Sequence, residues 1–466
     1  MSLTTARRAA PTEVARRRRW LPVSLAVFTA AWGGNEFTPL LVMYRQDGGL
    51  SAVAVDGLLF TYVLGIVPAL LIGGPLSDRL GRRPLMIPAP VFAALGSLLL
   101  AVGPHSLALL SAGRIASGVA LGLSMAVGGS WIAEISARDG DRPGAGARRA
   151  AMSLTAGFGV GAGLAGVLAQ WGPWPTVTPY AVNIALAAAA LAALARAPET
   201  RRRQTVRGRL VDDLRIRGIG HRRFVSVVVP VAPWVFGAAA SAYAIIPALM
   251  SARTAGAPIA FASLCCVLGL GAGFGIQSLG RRIDDPDRAR GPVLALIVLA
   301  AGMALAAAAA VQLTIWLSLV AAVVLGCGYG MAMIAGLLEV QRIADAGNLA
   351  DAGSGVSGSN LADAGSGVSG SNLADAGSGV SGSNLAGLTA VFYSVTYLGF
   401  AIPALLAWIS ETFSAVTYPW MFGAGALAAV VCLVVVVVGH RADRRIAVAT
   451  MSPVGDALGR GEVHDR

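Results

Sequence analysis

Long apolar stretches return along this chain at regular intervals, and they limit what it can fold into. Such runs occupy 21–43, 54–76, 84–104, 107–132, 148–171, 179–195, 224–249, 258–279, 291–311, 313–338, 387–410 and 417–439. A helix needs about 20 mostly apolar residues to cross the hydrocarbon core of a bilayer. Lipid offers the backbone no hydrogen bonds, so only helices or closed barrels span it. The pattern predicts an all-α membrane protein with twelve transmembrane helices. The almost uncharged run 291–338 is divided near Gln312 on length alone. The first stretch follows Arg16–Arg19 as a secretory leader would, but it continues past Thr29-Ala30-Ala31 to Met43, as expected of a retained helix.

Charge supplies the orientation. All 36 basic residues are arginine, which removes any mechanism built on a lysine. Thirty-three of them fall in the tails and in loops on one side, two (Arg45 and Arg253) on the other, and one, Arg114, inside a span. Basic loops stay cytoplasmic, so both termini are expected on the cytoplasmic side of a multi-pass protein of the inner (cytoplasmic) cell membrane. The loop 196–223 carries ten arginines against Glu199, Asp212 and Asp213. It divides the chain into a basic tail (1–19), a six-helix bundle (20–195), a basic linker (196–223), a second six-helix bundle (224–439) and a second tail (440–466). The linker suits an anionic lipid surface rather than nucleic acid. Two six-span halves are typical of transporters built from repeats.

Residues 348–383 are three perfect copies of NLADAGSGVSGS, starting at Asn348, Asn360 and Asn372, in the cytoplasmic connection before span eleven. Their composition cannot form a packed core and reads as a flexible insert.

The loop between spans two and three reads Gly74-Pro-Leu-Ser-Asp78-Arg79-Leu-Gly81-Arg82-Arg83. Gly74 would permit close helix approach and Gly81 a tight turn. The arginines can pair with carboxylates on neighbouring helices, or serve topology alone. This G-x-x-x-D-R-x-G-R-R pattern, in this loop of a twelve-span chain, resembles the hallmark of the major facilitator superfamily. The resemblance covers about 20–440 apart from the repeat. It implies two pseudo-symmetric six-helix bundles, alternating access, and a latch at the cytoplasmic gate. Asp78, Arg82 and Glu134, at the end of span four, are its expected members. Glu339, Arg342 and Asp284 form a faded echo in the second half.

Span four contains Arg114-Ile-Ala-Ser-Gly118-Val-Ala-Leu-Gly122, which resembles the family's proton-coupling motif. A charge near the middle of a span costs on the order of 2.5–3.5 kcal/mol and needs a partner or a wet cavity. Glu36 is the candidate partner. At about 1.5 Å per residue both groups lie roughly 10 Å inside the outer boundary. Separation of the pair during a cycle would let Glu36 take up a proton, whereas a static pair would only lock spans one and four. Asn35 could bond a substrate or a neighbouring helix.

Span five contains Gly157, Gly159, Gly161, Gly163 and Gly166. It resembles the glycine-rich span of the family's drug/proton antiporters, with Ala162 where they carry proline. Gly118, Gly122, Gly159, Gly161 and Gly166 are expected to pack helices. The embedded G-x-G-x-x-G follows no strand and is not a dinucleotide site. Trp32, Phe37, Trp234 and Tyr243 could line a central cavity. The four cysteines lack metal-ligand spacing. No catalytic constellation, cofactor or metal is expected, only a proton gradient as the coupling source. The resemblance implies proton-coupled efflux of small amphipathic molecules by a monomer surrounded by membrane lipids. The alternatives are uptake or facilitated diffusion of a metabolite, and a non-transporting receptor or scaffold.

Overall fold

The computed structural model describes residues 18–47, 49–201, 219–285, 288–353 and 380–458, without the side chains of 47, 348–353, 380–384 and 444–458. The middle of the basic linker and residues 354–379 of the repeat lie outside the described residues.

The described chain is almost entirely helical. Ten helices are long and apolar enough to cross a membrane: α2 (Ala52–Leu80), α3 (Arg82–Val102), α4 (Leu107–Arg138), α5 (Ala145–Trp171), α7 (Phe224–Arg253), α8 (Pro258–Ile283), α9 (Arg290–Gln312), α10 (Ile315–Gly347), α11 (Leu385–Thr412) and α12 (Tyr418–Asp443). The other two expected spans are occupied by shorter or interrupted helices. The first, α1 (21–47), is broken: Leu21–Asn35 ends, a 3-10 turn spans Thr38–Leu40, and a helix resumes at Leu41–Asp47. The other, α6 (Thr178–Leu194), has 17 residues.

Local sequence sets the boundaries. Ser51 and Ser106 cap α2 and α4 by accepting the amides of Ala54 and Leu109. Gly81 turns α2 into α3 at φ +104°, a conformation that favours glycine. The division expected near Gln312 falls at Leu313, where φ is +48°. The repeat departs from the expectation at both ends. The helix of α10 continues to Gly353, and helix resumes at Val380. Leu and Ala in NLADA are good helix formers, so an adjoining helix propagates into the repeat.

The two halves pack alike. A Cβ on Gly118 would lie 2.2 Å from the Tyr62 carbonyl oxygen, and one on Gly122 2.6 Å from that of Ile66. α4 therefore lies directly on α2. Six helices later, a Cβ on Gly330 would lie 1.9 Å from the Gly273 oxygen and one on Gly326 2.2 Å from that of Gly269. α10 lies on α8 in the same way. Small residues allow such approach between apolar helices. Gly157 and Gly161 do the same for α5 against α1, where added Cβ atoms would meet Phe28 and Trp32 backbone. Two expectations fail here. Gly159 faces open space, because two residues turn an α-helix about 200° away from the packed face. Gly74 also faces open space, and its neighbour Gly73 makes the approach, to Ala126 and Leu123 of α4. The outer faces are apolar: Val431, Val434 and Val438 of α12 are more than half exposed, as lipid-facing residues should be.

Candidate functional site

The break in α1 builds the centre of the first half. The helix ends at Asn35, and Pro39 follows two residues after Phe37. Proline carries no N–H to continue the ladder, and the last carbonyls of the helix lose their partners. Glu36 sits at this break, fully buried. Its Oε1 accepts from Ser97 Oγ of α3 at 2.7 Å and from Asn183 Nδ2 of α6 at 3.5 Å. Its Oε2 has no hydrogen-bond partner among the described residues.

Arg114 is 1% exposed. It lies near Glu36, but among the described residues neither group enters an ion pair, so the direct pair expected from their matched depth is absent. The physical reason is the break itself. Arg114 Nη1 donates to the freed Gly34 carbonyl at 3.1 Å, and Nε donates to Leu58 at 3.2 Å. A helix C-terminus carries partial negative charge and attracts a cation. The guanidinium also lies 4.1 Å from the ring centre of Tyr62 and 4.8 Å from that of Phe37, within cation–π range.

Asn35 bonds neighbouring helices. Its Nδ2 donates to the Phe158 carbonyl of α5 at 3.2 Å and to Cys266 Sγ of α8 at 3.4 Å, and its Oδ1 accepts from Thr38. Phe37 serves Arg114. Trp32 packs beneath Gly161 and beside Phe28. Tyr243 is buried in the π turn Ser241–Ile245 of α7. Trp234 does not face the centre, because its Nε1 donates to Cys432 of α12 at 3.5 Å.

The aromatic centre comes instead from residues with no telling spacing in the sequence. Phe236 stacks on Tyr397 at 4.5 Å and on Phe400 at 4.7 Å, and Tyr329 lies 6.1 Å away. Tyr62 meets Phe400 edge-on at 6.5 Å across the two halves. Tyr397 Oη donates to Met125 Sδ at 3.3 Å, in the π turn Ser124–Gly128 of α4. Such turns often mark functional sites in helices. Buried Tyr62 Oη has no hydrogen-bond partner among the described residues.

At the arginine-rich face the hallmark residues gather. Arg82, 4% exposed, pairs with Asp78 at 2.9 Å and with Glu134 at 2.8 Å, and also donates to Ser77. The segment after α6 completes the cluster, and nothing in the sequence beyond an acidic residue in a basic loop pointed to it. The Glu199 carboxylate accepts the backbone amides of Arg82 (3.0 Å) and Arg83 (2.9 Å), the first two residues of α3. Anions favour helix N-termini. Thr200 donates to Glu134, and Arg201 pairs with Asp78 at 3.1 Å. Arg83 itself donates to the Ala195 carbonyl at 2.8 Å. Arg79 sits in the last turn of α2. The echo in the second half is also assembled: buried Glu339 pairs with Arg223 at 2.5 Å and Arg342 at 2.6 Å, and Arg342 bonds Asp284. Among the described residues, these ion pairs each join residues of the same half.

Hydrogen bonds between the halves lie elsewhere. Gln170, Ser263, Asn35 and Glu411 make them on the side remote from the arginine-rich loops. Tyr397–Met125 makes one at mid-depth. Among the described residues, none is found at the arginine-rich ends.

This architecture has known counterparts. Across 90% of this chain and 98% of theirs, the fold superposes on the crystal structure of the nucleoside transporter NupG with a TM-score of 0.66 at 10% identity. A POT family transporter in complex with a thioalcohol-conjugated peptide matches with a TM-score of 0.64 at 12% identity, covering 90% of this chain and 96% of that one. In sequence, a gallate transporter of Pseudomonas putida is 32% identical over 131 residues. That match spans 27% of this chain and about a quarter (26%) of the relative's length. The family model of the Major Facilitator Superfamily matches residues 23–370. With these residues in these places, the chain belongs to the Major Facilitator Superfamily of membrane transporters.

Proposed function

We propose that the chain exports small amphipathic compounds in exchange for protons, with Glu36 as the proton carrier. The observation that supports this most is the fully buried Glu36 carboxylate, half bonded and half open, beside a guanidinium that does not pair with it. Protonation at Oε2 breaks no well-formed hydrogen bond, and the Trp32 side chain lies close enough to interact with the carboxylate. The added proton would change the field felt by Arg114 and by the α1 break, which touches α3, α4, α5, α6 and α8. The apolar aromatic centre suits an amphipathic cargo. Basic loops are cytoplasmic, so both termini face the cytoplasm and the cross-half bonds close the outer face. The described state is then inward-facing, in a monomer held in the inner cell membrane.

Uptake of a small metabolite is the second reading. The local similarity to a gallate transporter favours it. Inverted membrane vesicles given an inward-acid pH gradient separate the two, because an exporter accumulates substrate and an importer does not. Glu36→Gln keeps the size and most bonds of the site. It should abolish the dependence of flux on the imposed gradient. An unchanged dependence would leave Glu36 a structural role only.

A further inference from the structure

The bonds that close the remote face have a symmetry of their own. Gln170, one residue from the end of α5, reaches across to the start of α8. Its Oε1 accepts the amides of Ile259 at 3.0 Å and Ala260 at 3.2 Å, and its Nε2 donates to the Gly256 carbonyl at 3.1 Å. These amides belong to the first turn of α8, where no intrahelical acceptor exists. The first residue of α8 is Pro258, and its N-cap position, Ala257, has no side chain able to cap. Gln170 therefore supplies from one bundle the cap that the other bundle's helix lacks. Six helices on, the relation repeats in reverse. Glu411, at the end of α11, accepts the Val53 amide in the first turn of α2 at 3.4 Å. α5 and α11 occupy equivalent places in the two halves, as do α8 and α2.

We propose that Gln170, with Glu411 as its weaker counterpart, is the latch that holds the remote face shut, and that opening this face uncaps α8, while α2 keeps its own Ser51 cap. The proposal rests on transport by alternating access. The contact beneath the latch is tight enough for the cap to decide. Ser263 Oγ donates to the Ala162 and Gly163 carbonyls at 3.0 and 3.1 Å, and a Cβ on Gly166 would lie 2.3 Å from Ser263 Cβ. α5 and α8 thus meet with no room for water between them at this level. Parting them exposes two amides of α8 to be solvated afresh. A cap of this kind biases an equilibrium by about tenfold. Among the described hydrogen bonds between the halves on this face, those of Gln170 are the ones that satisfy a helix end at full strength.

Cys266 is a native reporter. It is fully buried and bonded to Asn35 across the same interface, so it becomes reachable only when the halves part. The test uses the full chain in sealed right-side-out vesicles, with Cys265, Cys327 and Cys432 replaced by alanine. A membrane-impermeant maleimide is applied to the remote face and its rate of addition to Cys266 is followed. Gln170→Leu should raise that rate about tenfold, and Glu411→Ala should raise it less. Gln170→Asn, one methylene shorter, covers the case in which the leucine variant does not fold, and should also raise it. An unchanged rate in folded protein would overturn the latch. So would a rise seen only when the reagent reaches the arginine-rich face. If the rate rises but no variant or parent moves any substrate, the latch stands and the transport reading falls.

Discussion

Replacing Arg82 by methionine tests how the hallmark loop works in this chain. Arg82 is 4% exposed and joins two carboxylates. Removing one member of a buried ion pair costs about 3–5 kcal/mol when the other charge is stranded. The stranding here is partial. The side chain of Glu134 is 25% exposed and that of Asp78 46%, and Thr200 and Arg201 still bond them. We therefore expect a smaller loss, about 2 kcal/mol, below that range. Melting of purified protein in detergent, followed by tryptophan fluorescence, measures it. If the first bundle melts as a unit, this is a drop of roughly 4–8 °C for a domain of that size. Arg83→Met is the control. Its side chain makes one exposed bond to the Ala195 carbonyl, and its amide keeps Glu199, so the loss should be about 0.5 kcal/mol. Adding Glu134→Gln to Arg82→Met removes the stranded charge, and the pair of changes should cost less than their sum. If Arg82→Met melts no lower than Arg83→Met, the network does not hold α2, α3 and α4 together and the reasoning fails.

Three further outcomes follow from the same geometry. Gly330→Ala puts a Cβ 1.9 Å from a backbone oxygen of α8, so its expression and melting temperature should collapse, whereas Gly159→Ala faces open space and should stabilise the helix by up to about 1 kcal/mol. Glu199→Gln removes the charge at the N-terminus of α3 while keeping an acceptor, and should cost about 0.3–1 kcal/mol, read as a small melting shift that salt reduces. Deleting 348–383 should leave transport intact at normal expression, and loss of flux in a well-expressed deletion would show that the repeat takes part in the cycle.

The membrane helices were legible in the sequence because hydropathy is additive along the chain. Every long helix falls on an apolar stretch, and even the division at Leu313 was placed within a residue. The contact of Asp78 with Arg82 was legible because a loop motif fixes its own geometry within a few residues, and that of Glu134 only through the family resemblance. Glu199 was not, since its role depends on a chain segment returning to the start of α3. The break in α1 lies where Asn35, Glu36 and Pro39 interrupt an otherwise apolar run. Hydropathy does not register where a backbone ladder stops, so Gly34 was not seen as the acceptor that takes Arg114 from Glu36.

Composition and spacing alone thus determined that the chain crosses a membrane many times, which face carries its charge, and which loop bears the family's signature. These follow from transfer energy and short-range covalent geometry. Tertiary structure decided which groups meet: Arg114 with a helix end, Asn35 with Cys266, Gln170 with the first turn of α8, and the aromatic stack of Phe236, Tyr397 and Phe400. Each meeting depends on how helices distant in sequence are rotated about their axes. Packing between whole helices sets that rotation, and no local stretch of sequence encodes it.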